Sequence, residues 1–257
     1  MRFGCCAGLD NMGIVESAGY DYIELGVGTV KPESPTSEFE PIKEQIMSYK
    51  IKPEAWNCLL PGDLRVTGPD VDKYRQERYL LSAFERIGKV GGIVVVFGSG
   101  GARKVPEGFP VDEAKEQIKE FMLIAGKAAE TYGITLVLEP LNKKETNIVN
   151  SVAEGAELVR AVDYPSMKLL ADLYHVDEEN EPLQNIIDAG DLIKHTHTAD
   201  TGRLYPGSGS YDHKGFFTAL KSIGYNDRMS VECIFKDFES ECRKSIEFLR
   251  KIDAETN

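Results

Sequence analysis

Histidine is scarce in this chain, four residues in 257, and basic side chains are outnumbered, 30 Lys and Arg against 42 Asp and Glu, for a formal net charge of −12. The shortage of positive charge argues against nucleic acid and against a membrane surface as partners, because proteins that bind either one concentrate Lys and Arg to displace counterions. Long apolar runs are missing too. The longest, Ile93–Phe97, falls far short of the ~20 residues needed to span a bilayer. The N-terminal MRFGCCAGLD lacks the apolar core of a secretory signal. Five cysteines, at 5, 6, 58, 233 and 242, form neither a C-x-x-C pair nor a disulfide framework, so a cytoplasmic location is expected. Vicinal Cys5 and Cys6 would point to opposite faces of a strand and so share no site. Nor does any linker or low-complexity run divide the chain, and residues 1–257 read as one domain.

What the chain does have is a regular alternation of short apolar runs with longer amphipathic stretches. Strands are predicted at Arg2–Ala7, Tyr20–Gly26, Ile51–Asn57, Gly92–Phe97, Thr135–Glu139, Met167–Asp172, Leu192–Thr198 and Met229–Ile234. Helices are predicted at Glu38–Tyr49, Asp70–Val90, Val111–Tyr132, Val152–Val162, Pro182–Ala189, Lys214–Ile223 and Glu239–Ile252, and 31–41 reads as a long loop. Near-continuous apolar strands such as IVVVF and TLVL need cover on both faces, as parallel strands with crossover helices receive. Eight such units in about 250 residues predict a single (β/α)8 TIM barrel, an α/β fold. The alternative, an open doubly wound sheet, would carry a glycine-rich phosphate turn after its first strand, and Gly8-Leu9-Asp10-Asn11 does not provide one.

In a barrel of this kind the active site lies at the C-terminal ends of the strands. Ionisable residues close four of them: Glu139, Asp172, His197 and Glu232, spaced 33, 25 and 35 residues apart. Each spacing is about one βα unit, so four consecutive strands would each contribute one group to a shared centre. Three carboxylates and one imidazole suit a divalent ion such as Mn²⁺, with Co²⁺ or Mg²⁺ possible, rather than the thiolate-rich sets of structural zinc. Trp56, the only tryptophan, ends the third strand and is read as a platform for a sugar ring, with core packing as the alternative. His195 shares a strand face with His197 and is expected one layer deeper, as a supporting group. His213 is expected to open a helix capped by Asp212. The segment 97–109, FGSGGARKVPEGF, clusters glycines ahead of Arg103 and Lys104 but lacks P-loop spacing, and reads as a tight loop shaping the pocket rather than an anion cradle.

The segments LEPLNKKET (138–146), ADLYHVDEE (171–179), HTHTADTGRLYPGSG (195–209) and SVEC (230–233) resemble those of the sugar isomerase and epimerase family with a xylose-isomerase-like TIM barrel, most closely its D-tagatose 3-epimerase and D-psicose (allulose) 3-epimerase types. The resemblance implies that Glu139, Asp172, His197 and Glu232 bind the metal, that His175 and Arg203 contact substrate oxygens, and that Glu145 adds a hydrogen bond. Relatives of this kind are often dimers or tetramers, so the resemblance is compatible with a homo-oligomer and leaves the oligomeric state open. Three places depart from the pattern: Lys143-Lys144 after LEPLN, Pro206–Ser210 where PGEGH is usual, and Glu232-Cys233-Ile234 where the last glutamate is often followed by Pro-Phe. They leave the metal set intact and bear on the substrate.

Strands five and eight stand three apart in an eight-strand ring, so Glu139 and Glu232 can flank a substrate. One would remove the proton beside a carbonyl and the other return one to the opposite face, through an enediolate stabilised by the metal. The expected activity is that of a metal-dependent isomerase, a sugar epimerase acting at C3 of a ketose. A dehydratase of the inosose or dehydroshikimate type, on the same barrel, is the alternative. Endonuclease IV, a relative by fold, needs a histidine-rich three-zinc site that four histidines do not supply.

Overall fold

Residues 1–256 are described by a computed structural model. Eight parallel strands, β1 (Arg2–Cys6), β2 (Tyr22–Gly26), β3 (Ala55–Asn57), β4 (Val94–Phe97), β5 (Thr135–Leu138), β6 (Met167–Asp172), β7 (Ile193–Thr198) and β8 (Arg228–Val231), pair in chain order, and β1 closes the ring on β8. The closed barrel excludes the open doubly wound sheet. Among the described residues ten α-helices accompany the strands: α1 (Met12–Ala18), α2 (Thr36–Ser48), α3 (Lys73–Lys89), α4 (Gly100–Arg103), α5 (Val111–Thr131), α6 (Val152–Val162), α7 (Leu173–Glu178), α8 (Gln184–Ala189), α9 (His213–Ser222) and α10 (Phe238–Glu255). Among the described residues no helix is long and apolar enough to cross a membrane.

Local chemistry sets the helix starts. Asp72, Ser151, Asp212 and Asp237 each accept a backbone N–H three residues on, at 2.9, 3.1, 2.8 and 3.3 Å, satisfying one of the donors a helix leaves open. The expected loop over 31–41 is shorter than read, because α2 begins at Thr36 and takes Pro41 within it. Standing past the first turn, Pro41 has no N–H for the Ser37 carbonyl and its ring crowds that carbonyl. β3 begins at Ala55 rather than Ile51, since Pro53 has no N–H to give a ladder. Further short helices lie beyond the predicted ones, among them α7, which follows β6 directly, and α4, which stands two residues after β4 inside the segment 97–109 expected to be a loop.

Closing the ring sends every second strand residue to the axis. Tyr22, Ala55, Val94, Val96, Val137 and Leu170 fill the interior, whereas their neighbours Ile23, Trp56, Val95, Leu136, Leu138 and Leu169 pack outward in the main core. Two residues further along the same inward rows come Asn57, Gly98, Glu139 and Asp172. The expected split of Cys5 and Cys6 holds: Cys5 lies in the outer core, while the Cys6 thiol sits near Glu24 and His197 inside.

At the N-terminal end of the barrel the Tyr22 ring occupies the space beside Gly4, where a Cβ would fall 2.2 Å from it. The ring cannot swing away freely, because it is fully buried and its hydroxyl is 2.8 Å from Ser230 Oγ. Overpacking at such a position costs ~1–3 kcal/mol. Gly4→Ala is therefore expected to lower unfolding free energy by that amount in urea titrations, while Gly28→Ala, with nothing within 4 Å, stays within about 0.5 kcal/mol of the parent.

Candidate metal and active centre

The inward rows of β5, β6, β7 and β8 end in one cluster. Ligand atoms of Glu139, Asp172, His197 and Glu232 all lie within 4.8 Å of one another, so the structure brings together all four residues proposed from the strand ends. His197 is fully buried, with Nδ1 3.1 Å from Glu139 Oε1 and 3.5 Å from Glu232 Oε2. Asp172 divides its two oxygens: Oδ1 accepts from Tyr174 N–H at 3.0 Å, capping α7, while Oδ2 is buried without any hydrogen-bond partner.

An unpartnered carboxylate oxygen buried among two further carboxylates is costly. Burial, together with the neighbouring Glu139 and Glu232, pushes the Asp172 carboxyl up to about 8 despite His197. Burial likewise raises Glu139, outweighing its bond to His197. Glu232 also feels burial, yet His197 and Arg203 overcome it and bring it down to about 2. Burial opposes the charge on His197, but the carboxylates around it, Glu24 first, raise it well above the ordinary imidazole range. The donor set of three carboxylates and one imidazole fits a divalent cation with oxygen and nitrogen ligands.

Around this cluster stand the residues expected to meet a substrate. His175 Nδ1 accepts from the Asn142 backbone N–H at 3.1 Å, which leaves the ring proton on Nε2. That nitrogen is buried without a hydrogen-bond partner, 3.6 Å from Asp172 Oδ2. Burial and the Arg203 charge push His175 down to about 3, so it is a neutral donor aimed at the centre. Arg203 spreads its fork between Glu145 Oε1 at 2.8 Å and Glu232 Oε2 at 2.7 Å and lies 4.8 Å over the Tyr174 ring. Its backbone is left-handed, φ 59°, and its carbonyl accepts from Ile234 N–H at 2.7 Å. Asn57 Nδ2 donates to Glu232 Oε1 at 3.1 Å. A cavity of about 230 Å³ opens here, lined by the polar Glu139, Glu145, Arg203 and Glu232 and by the apolar Leu60 and Leu141 among others.

Trp56 is a correction. It is 0% exposed, belongs to the outer core and donates from Nε1 to the Pro53 carbonyl at 2.9 Å. Its parity on β3 points it away from the axis, where Asn57 and Ala55 point in, so it is no sugar platform. The glycine-rich segment shapes the pocket, with Gly98, Ser99, Gly100 and Gly101 lining the cavity. Arg103 is buried and donates to the carbonyls of Phe97 at 3.2 Å and Glu139 at 2.7 Å, while Gly98 leaves room for Glu139, whose Oε2 would lie 2.2 Å from a Cβ there.

His195 is the buried support expected of it, 2.8 Å from Glu24 Oε2, and α9 does open at His213 with Asp212 as its cap. Three contributors escaped the sequence reading: Glu24, Asn57 and Asn142. Glu24 had a signal, an acid in the middle of the apolar strand YIELG, overlooked because only strand ends were searched. The two asparagines carried none, since asparagine in a loop or at a strand end is commonplace.

A closed parallel barrel with acids and an imidazole converging at its C-terminal mouth defines a (β/α)8 protein with a candidate metal centre. The chain belongs to the xylose isomerase-like TIM barrel family, whose model matches residues 13–252. It is 29% identical over 229 residues to an L-ribulose 3-epimerase from Methylomonas sp., covering 87% of this chain and 76% of that protein. It is 27% identical over 234 residues to an inosose isomerase from Bacillus velezensis, covering 85% and 80%. A crystal structure of a Methylomonas sp. D-allulose 3-epimerase in complex with D-allulose shares the fold, with a TM-score of 0.85, 24% identity and coverage of 98% of this chain and 96% of that one.

To ligate a cation, Asp172 and His197 must lose protons that the metal-free site favours. Each proton displaced makes apparent affinity rise about tenfold per pH unit. Mn²⁺ affinity, measured by competition with a chelating dye corrected for its own protonation, is expected to climb steeply from about pH 6 to about pH 8. A flat profile would contradict the ligand set.

Proposed function

We propose that this protein is a divalent-metal-dependent sugar epimerase that inverts C3 of a free ketose, with Mn²⁺ as its ion and a cytoplasmic setting. The observation carrying the reading is the convergence of Glu139 and Glu232, which line the cavity, with the buried Asp172 and His197. Relatives named as an L-ribulose 3-epimerase and an inosose isomerase support proton transfer beside a carbonyl without loss of water. That favours an isomerase over the dehydratase alternative. The five cysteines are free thiols, which supports a reducing compartment.

A cation held by Glu139, Asp172, His197 and Glu232 would supply Lewis-acid stabilisation of negative charge developing on substrate oxygens. The chain's own residues divide the remaining work. Glu139, raised by burial, is the stronger base of the pair, and Glu232 is oriented by the Arg203 fork and Asn57. One carboxylate takes the proton from the carbon beside the carbonyl, and the other delivers a proton to the opposite face. Neutral His175 donates from Nε2 to a substrate oxygen, and Arg203 and Glu145 offer donor and acceptor to hydroxyls at the mouth.

In D₂O with Mn²⁺, a panel of ketoses is expected to yield the C3 epimer with deuterium at C3. A dehydrated product, or label at C1 with an aldose appearing, would contradict C3 epimerisation. Glu139→Gln and Glu232→Gln should each lower kcat by roughly 10²–10⁴-fold or more, the range that positioned acid–base groups contribute, while circular dichroism stays unchanged.

A further inference from the structure

We propose that Glu24 is the positioning residue of the metal centre: it accepts the Nε2 proton of His197 and so holds that imidazole with its Nδ1 lone pair toward Glu139, Asp172 and Glu232. The proposal rests on the metal reading above and assigns a role to a residue one layer beneath it. Glu24 sits mid-strand on β2, fully buried on the barrel axis.

Glu24 gathers three donors. His197 Nε2 lies 2.9 Å from Oε1, His195 Nε2 2.8 Å from Oε2, and Ser230 Oγ 2.6 Å from Oε2. A carboxylate only accepts, so the proton on each of these imidazoles resides on Nε2. His195 fits this, because its Nδ1 is buried with no partner, tolerable for a lone pair and costly for an N–H. Tyr22 O–H stands 2.8 Å from Ser230 Oγ. It can donate there while Ser230 donates onward to Glu24, which fixes the direction of the chain.

Once neutral, as a ligand must be, His197 has one alternative. With its proton on Nδ1 it would donate to Glu139 Oε1, 3.1 Å away, and turn a hydrogen rather than a lone pair toward the cluster. The two tautomers of a free imidazole are similar in energy, so the partner of the remote nitrogen decides between them. Glu24 is that partner, and groups in this position change metal affinity by about 10–100-fold.

The test compares chelator-stripped wild type with Glu24→Gln, titrated with Mn²⁺ and read by the electron paramagnetic resonance of the free ion. Wild type is expected to bind one equivalent, and Glu24→Gln the same single equivalent with affinity lower by about 10–100-fold. At saturating Mn²⁺ the variant should regain most of its kcat with KM unchanged, because Glu24 does not reach the cavity. In ¹⁵N spectra of the Zn²⁺-loaded protein, His197 Nε2 should appear as a protonated, pyrrole-type nitrogen in wild type. If Glu24→Gln does not fold, Ser230→Ala carries the test, with at least a twofold loss of affinity expected. Equal affinity in the folded variant overturns the role of Glu24 alone, and wild type that binds no Mn²⁺ overturns the metal reading with it. A second wild-type equivalent lost in Cys6→Ser would also overturn the proposal, since Cys6, Glu24 and His197 Nε2 would then themselves be ligands.

Discussion

Closing eight parallel strands into a ring points every second side chain at a common axis, and that constraint places everything else of consequence in this protein. The rows that begin with Val137, Leu170, His195 and Ser230 continue, two residues on, to Glu139, Asp172, His197 and Glu232. No loop has to be positioned to assemble them, because strand parity and the β6–β7–β8 register, which pairs Asp172 with His197 and His197 with Ser230, do so. The apolar half of each row is equally constrained. Tyr22, Val94, Val96 and Leu170 plug the barrel below the site, and Tyr22 needs Gly4 opposite it.

Convergence brings a cost. Four carboxylates, those of Glu24, Glu139, Asp172 and Glu232, share a small buried volume whose nearest cationic groups are His197 and Arg203. Arg103 is as deeply buried but spends its donors on backbone carbonyls. Two layers handle this charge differently. Beneath, Glu24 is fully satisfied by two imidazoles and a hydroxyl. Above, Asp172 keeps an oxygen with no partner, and burial opposes its charge. Buried carboxylates in that state are stable when a cation completes them. The peripheral contacts then follow: Arg203 ties Glu232 to Glu145, and Asn142 turns the His175 proton inward.

Much of this was legible in the residues. Apolar runs at regular intervals gave strand number and order, and three acids and a histidine at strand ends gave the four convergent side chains, because both depend on local pattern. What stayed hidden depends on tertiary facts. Trp56 read as a surface for sugar because it ends a strand, yet a residue at a strand end faces in or out by parity, and the start of β3 was misjudged by four residues when Pro53 was taken as strand. Glu24 was missed because a mid-strand acid looks like a solvated exception until two histidines from β7 are seen to meet it. Helices α1, α4 and α7, of seven, four and six residues, are too short to show a clear period, and only α8, equally short, was marked out.

The central claim is that Glu139, Asp172, His197 and Glu232 hold one divalent ion. A crystal structure of the Mn²⁺-loaded protein, with anomalous scattering to locate the ion, tests it most directly. The account predicts a single strong peak within about 2.0–2.4 Å of an oxygen from each of the three carboxylates and of His197 Nδ1. A cluster occupied only by water, or a peak bound at His197 Nε2 instead, would contradict it.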